Sequence, residues 1–126
     1  MKKPSTLATL FSPSKQTFNS LTKNDYVLLV DGNDIDLFIN QKVLELLGII
    51  NVTAFSNADE ALVFLNQTTI TYRLILIDIY LPTMDAFEFI NAFNKLNLQN
   101  KHQEICLLSA TINPMHIQQS INYQIK

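Results

Sequence analysis

The sequence predicts an α/β protein built on a doubly wound parallel sheet. Three observations carry that expectation. Four short apolar runs of strand length recur along the chain, at YVLLV (26–30), IINVTAF (49–55), YRLILI (72–77) and EICLL (104–108). Segments with apolar residues at helical spacing separate them, joined by short polar connections. Three of the runs end in a polar residue that could serve a ligand: Asp31, Asp78 and Ser109. Strands alternating with helices through short loops make βαβ units, and right-handed crossovers leave few arrangements for them.

Each element has its own signature. YVLLV is a compact apolar strand. After it, Ile35, Phe38, Ile39, Val43, Leu46 and Leu47 mark one predicted helix face, which Gly48 ends. IINVTAF is strand-like through its β-branched residues. Asn57, with Glu60 three positions on, has the spacing of a capping box. Ala58, Ala61, Leu62 and Leu65 follow as an apolar stripe, and Asn66 to Thr71 read as a polar turn. YRLILI is apolar on both faces, as a central strand covered by helices should be. Asp85 reads as the cap of a third helix with Ala86, Phe89, Ile90 and Phe93 on its inner side; Phe87, Phe89 and Phe93 are expected to form a core cluster. Asn113 and Pro114 open a fourth helix, through about Ser120. The first residues, 1–24, are rich in Ser, Thr, Lys and Asn, and are expected to be a disordered extension or a short helix ahead of a domain spanning 25–126.

Composition narrows the function classes. At 126 residues the chain suits one domain, and 48% hydrophobic with 16% charged residues is unlike disorder. A net charge of −2 gives no reason to expect a nucleic-acid or acidic-membrane partner. Cys106, the single cysteine, reads as a buried thiol in a reducing compartment. No apolar stretch approaches the roughly 18–20 residues of a membrane span. Pro, Ser and Thr interrupt any signal-peptide core in MKKPSTLATLFSPSK, so a cytoplasmic location is expected.

Chemistry is expected where the strands end. In doubly wound sheets, ligands bind beyond the carboxyl ends of the strands, at the point where strand order reverses. If the strand order is 2-1-3-4, strands one and three are neighbours and Asp31 stands beside Asp78. Two carboxylates held that close repel, and a hard cation relieves the repulsion. Mg²⁺ suits such a site because it needs few protein oxygens besides water and phosphate. The acid on strand three could act as a nucleophile toward a phosphoryl group.

Residues 25 to about 122 resemble a response-regulator receiver domain of two-component signalling. LLVDGND, LILIDIYLPTMDAFEF and LLSAT match that family's motifs in order and spacing. The resemblance implies a flavodoxin-like fold and a signalling module rather than an enzyme, at most promoting its own phosphorylation and dephosphorylation. It makes Asp78 the phosphoacceptor and places Mg²⁺ on Asp31, Asp78 and the backbone carbonyl of Tyr80. Ser109 becomes the phosphate-contacting switch residue, and Pro82 shapes the loop. The implied partners are a histidine kinase or phosphotransfer protein and a downstream protein target.

The sequence also departs from the family pattern. Gly32 stands where the family carries a second acid that ligates the metal, and Asp34 reads as a helix cap rather than a replacement. Ala86 stands in place of the usual glycine. No catalytic lysine is found: Lys126 falls too early to be the lysine that the family carries at the end of a fifth strand, so either a truncated product or a receiver with an incomplete pocket is expected. Strand four is therefore expected to be an edge, covered by residues 5–21 or by a second copy in a homodimer. A docking module that works without phosphorylation is the alternative reading.

Other chemistries find less support. His102 and His116 have no metal-ligand partner at useful spacing. Tyr80 occupies the place of the second acid of a haloacid-dehalogenase-type phosphatase. With two glycines, Gly32 and Gly48, neither a P-loop nor a GxGxxG can be assembled, and a flavodoxin-type phosphate loop is absent.

Overall fold

A computed structural model describes residues 20–79, 81–96 and 103–108. Within them lie β1 (Tyr26–Val30), α1 (Asp34–Leu46), β2 (Asn51–Phe55), α2 (Ala58–Gln67), β3 (Tyr72–Asp78), α3 (Ala86–Asn94) and β4 (Glu104–Leu108). The strands are parallel, as the alternating sequence predicts, and ordered β2-β1-β3-β4, the order of the flavodoxin-like fold that the receiver-domain resemblance implies. The predicted fourth helix, Ser109, Tyr80, the two histidines and residues 1–19 lie outside the described residues.

Alternation along the strands divides the core between the two faces of the sheet. Leu28, Val30, Ile75, Ile77, Ile105 and Leu107 point to one side and meet α2 and α3 through Ala58, Ala61, Leu65, Ala86, Phe89, Ile90 and Phe93. Val27, Leu29, Leu74, Leu76, Cys106 and Leu108 point to the other, where Val43 and Leu44 of α1 lie. Strands buried on both faces are read as near-continuous apolar runs, and YVLLV and YRLILI are such runs. A shift in register after Tyr26 and Tyr72 turns Tyr72 to the α2 side. There its hydroxyl meets the Thr53 hydroxyl at 2.7 Å, and its ring packs edge-on to Phe64.

Several boundaries differ from the sequence reading. β2 begins at Asn51, because Ile49 buries its side chain at the end of the α1–β2 turn while Ile50 faces outward. α2 continues through Gln67 into the segment read as a turn, and Thr68 caps it. Phe87 points away from the core that Phe89 and Phe93 share. Asp34 is the first helical residue of α1 rather than its cap. The cap is Asn33, whose side chain accepts from the Asp36 N–H at 2.9 Å.

The largest difference is the face that α1 buries. Asn40, Val43 and Leu44 are buried, with Leu37 and Leu47 packed beside them. Ile35, Phe38 and Leu46 are 70%, 60% and 86% exposed. Of the predicted face, Val43 and Leu47 alone turn inward. Gly48 ends the helix as expected: its φ of +88° suits a residue without Cβ, and its N–H reaches the Glu45 carbonyl at 2.9 Å.

Candidate functional site

The sheet's hydrogen bonding carries its two acids to neighbouring places. Val30 pairs with Ile77 in the β1–β3 register, so the next residues, Asp31 and Asp78, stand side by side. The Asp31 N–H donates to the Phe55 carbonyl at 3.0 Å, extending the β1–β2 ladder past Val30. Asp78 is the last residue of β3, and the Ile79 N–H donates to the Leu108 carbonyl at 2.9 Å. Both acids are thus fixed by backbone pairing on either side.

Their environments differ. Asp31 is buried, and one carboxyl oxygen accepts from the Asn33 N–H at 2.9 Å. Asp78 is half-buried at the strand end. Burial is the main cause that pushes the Asp31 carboxyl up to about 6. The hydrogen bond from Asn33 opposes the rise, while the negative charges of Asp78 and Asp36 and hydrogen bonding with the Asp78 side chain add to it. The two carboxyl groups are therefore within hydrogen-bonding reach of each other. Asn33 and Asp36 were missed as parts of this site in the sequence reading. Their signal was the D-x-N-x-x-D spacing at 31–36, in which one asparagine both donates to the buried acid and caps α1.

Pro82 sits in the loop between β3 and α3, and its ring lies against Gly32. A Cβ on Gly32 would lie 2.7 Å from Pro82 Cδ, so a side chain at that position needs the loop backbone to give way. The loop closes through the Ala86 N–H, 3.4 Å from the Ile79 carbonyl, and through Asp85. The Asp85 carboxylate accepts from the Glu88 N–H at 2.8 Å, and the Glu88 carboxylate accepts from the Asp85 N–H at 3.0 Å. Asp85 is therefore engaged as the cap of α3, as the sequence predicts.

The donor set can be tested against a cation. Among the described residues no group of three His, Cys, Asp or Glu side chains converges. Two carboxylates do converge, and the charge of Asp78 raises the cost of ionising Asp31. That chemistry fits a hard divalent ion completed by backbone carbonyl, water and phosphate oxygens rather than by a closed protein cage.

Comparison with known proteins settles the family. A family model described as "Response regulator receiver domain" matches residues 27–126. The chain belongs to the response regulator receiver domain family. It is a receiver domain of two-component response regulators. No curated protein matches the chain. Among solved structures it is similar to a CheY-like receiver domain from Methylobacillus flagellatus, at 17% identity and TM-score 0.61, over 77% of this chain and 98% of that one. It is also similar to a CheY-like receiver domain from Methanospirillum hungatei, at 20% identity and TM-score 0.58, over 80% and 93%. A third similar structure is the receiver domain of the Arabidopsis thaliana histidine kinase CKI1, complexed with Mg²⁺ and BeF₃⁻. It shares 18% identity at TM-score 0.62, over 84% of this chain and 80% of that one. At these identities the solved structures support the shared fold alone. Among the described residues of this receiver domain, no helix is long and apolar enough to cross a membrane.

Proposed function

We propose that Asp78 accepts a phosphoryl group from a histidine kinase or phosphotransfer protein, and that the domain, residues 25–126, signals in the cytoplasm by contact with a downstream protein. The observation that carries this reading is the pairing of Asp78, at the carboxyl end of β3, with the buried Asp31 across the β1–β3 boundary. A carboxylate oxygen of Asp78 attacks phosphorus, an O–P bond forms, and the P–N bond to the donor's imidazole breaks. The imidazole nitrogen keeps the electron pair and takes a proton from solvent, leaving an aspartyl-phosphate.

Asp31 holds negative charge beside the acceptor. With Asp78 and the Tyr80 carbonyl it would hold Mg²⁺, which neutralises phosphoryl oxygens. Pro82 shapes the loop over the site, and Ser109, one residue beyond β4, would contact the transferred group and relay its presence.

One observation favours a second reading. The Pro82 ring occupies the space beside Gly32, the position of the family's additional acid, which leaves the site two side-chain carboxylates. On that reading the fold serves as a docking module without phosphorylation. Incubation with Mg²⁺ and acetyl phosphate, followed by intact-mass measurement, separates the two. The phosphoacceptor reading expects one added phosphoryl group that is absent from Asp78→Asn. An unmodified mass, or an adduct that persists in the variant, supports the docking module.

A further inference from the structure

We infer that the outer edge of β2 binds an extended, lysine- or arginine-rich segment of a partner protein as an added strand, beside an acidic groove on α2. β2 ends one side of the sheet, with β1 as its single neighbour among the described strands. It is half-exposed along its whole length, whereas β4, at the other end of the sheet, is buried from Ile105 to Leu108. The Phe55 carbonyl accepts from the Asp31 N–H and so faces β1. Backbone groups alternate in direction along a strand, so Thr53 and Asn51 also face β1, while Val52 and Ala54 turn their N–H and carbonyl groups outward. Those outward groups have no backbone partner among the described residues.

Sheet edges are ordinarily blunted against further pairing by a charged side chain, a proline or a bulge. NVTAF contains no charged residue and no proline, and its register with β1 runs unbroken from Asn51 to Phe55. An added strand therefore meets main-chain donors and acceptors at regular spacing, and its hydrogen bonds to them supply affinity without regard to sequence.

The groove beside the edge selects the occupant. Phe55 sends its ring to the α2 side of the sheet, 5.2 Å from the ring of Phe64. Phe64 in turn lines a groove of about 330 Å³ on α2, together with Asp59, Glu60, Val63 and Gln67. Val63 and Phe64 make its floor apolar. Asp59 and Glu60 make its rim anionic, and neither has an ion-pair partner among the described residues. Side chains of an added strand alternate between the sheet faces, so every second one falls on the α2 side. A lysine or arginine there lays its aliphatic stem on the apolar floor and brings its cation to the carboxylates. A second copy of this chain fits less well, because its own NVTAF would bring no cation to the groove. Binding at this edge uses neither the Asp31 nor the Asp78 carboxylate, so it is independent of phosphorylation.

The test uses the full chain and a fluorescein-labelled peptide of alternating lysine and valine. Anisotropy should show saturable binding that a peptide of alternating glutamate and valine does not give. Amide exchange followed by NMR locates it: Val52 and Ala54 should exchange faster than Thr53 in the free protein and slow at least tenfold with the lysine peptide bound. Ala54→Pro removes an outward N–H and spares the β1 ladder, and should abolish binding with sheet circular dichroism retained. Glu60→Lys leaves the strand untouched and should weaken binding about fivefold. Three results overturn the inference. They are equal affinity for the two peptides or for Glu60→Lys, bound peptide with unchanged exchange at Val52 and Ala54, and a dimer in which those two amides are protected before peptide is added. The last assigns the edge to a second copy.

Discussion

Helices α1 and α3 begin alike and end up differently. Each opens on a side chain that accepts the N–H three residues on, Asn33 for α1 and Asp85 for α3. α3 then buries the stripe that its sequence announces: Ala86, Phe89, Ile90 and Phe93. α1 is apolar on two opposite sides and buries the one interrupted by Asn40. A single apolar stripe fixes how a helix must rotate onto a sheet, whereas two stripes leave the rotation open until something else sets it. In α1 the buried side is the one on which Val43 and Leu44 join Val27 and Leu29 of the sheet, and the helix starts beside Asp31, whose carboxylate accepts from the Asn33 N–H. The start of α1 and the buried acid of the site are therefore tied by one hydrogen bond.

The widest gap between the helices should appear on truncating an aromatic in each. Phe89→Ala removes a fully buried ring stacked on Phe93 and is expected to cost about 3–5 kcal/mol in chemical denaturation. An equal cost for Phe38→Ala would erase the contrast.

A smaller effect tests the acid at the start of α1. The Asp31 carboxyl titrates at about 6 in the folded protein against an ordinary 3.8. The proton that only the folded state retains stabilises the protein fully below the ordinary value, and this contribution is lost as pH rises through about 6. Asp31→Asn should flatten that part of the stability profile and stabilise the metal-free protein above it by about 1–3 kcal/mol. A profile that keeps its slope in the variant would mean that another group titrates there.

The caps come next. Asp85→Ala removes the half of the capping box in which the Asp85 carboxylate accepts from the Glu88 N–H, and should cost about 1 kcal/mol. Asn33→Ala should cost a similar amount but leave the pH profile in place, because the backbone N–H that serves Asp31 remains in the variant. A disturbed profile would couple the cap to the acid.

The smallest effect belongs to the outer side of α1. Phe38→Ala, at a ring over which the Lys42 ammonium sits 5.4 Å from the centroid, should change stability by no more than about 0.5 kcal/mol.

Sequence alone determined the four strands, their parallel pairing and the acids at their ends. A two-residue period with apolar side chains on both faces has few folded solutions, and a carboxylate ending such a run has few reasons to be there. It also determined the inner side of α3 and the stop at Gly48, since each rests on local spacing or on a backbone angle that one residue type favours. Tertiary structure decided which apolar stripe of α1 turns inward, the contact of Pro82 with Gly32, and the raised pKa of Asp31. Those three depend on segments far apart in the chain meeting at one strand end, and no local period encodes the distance between them.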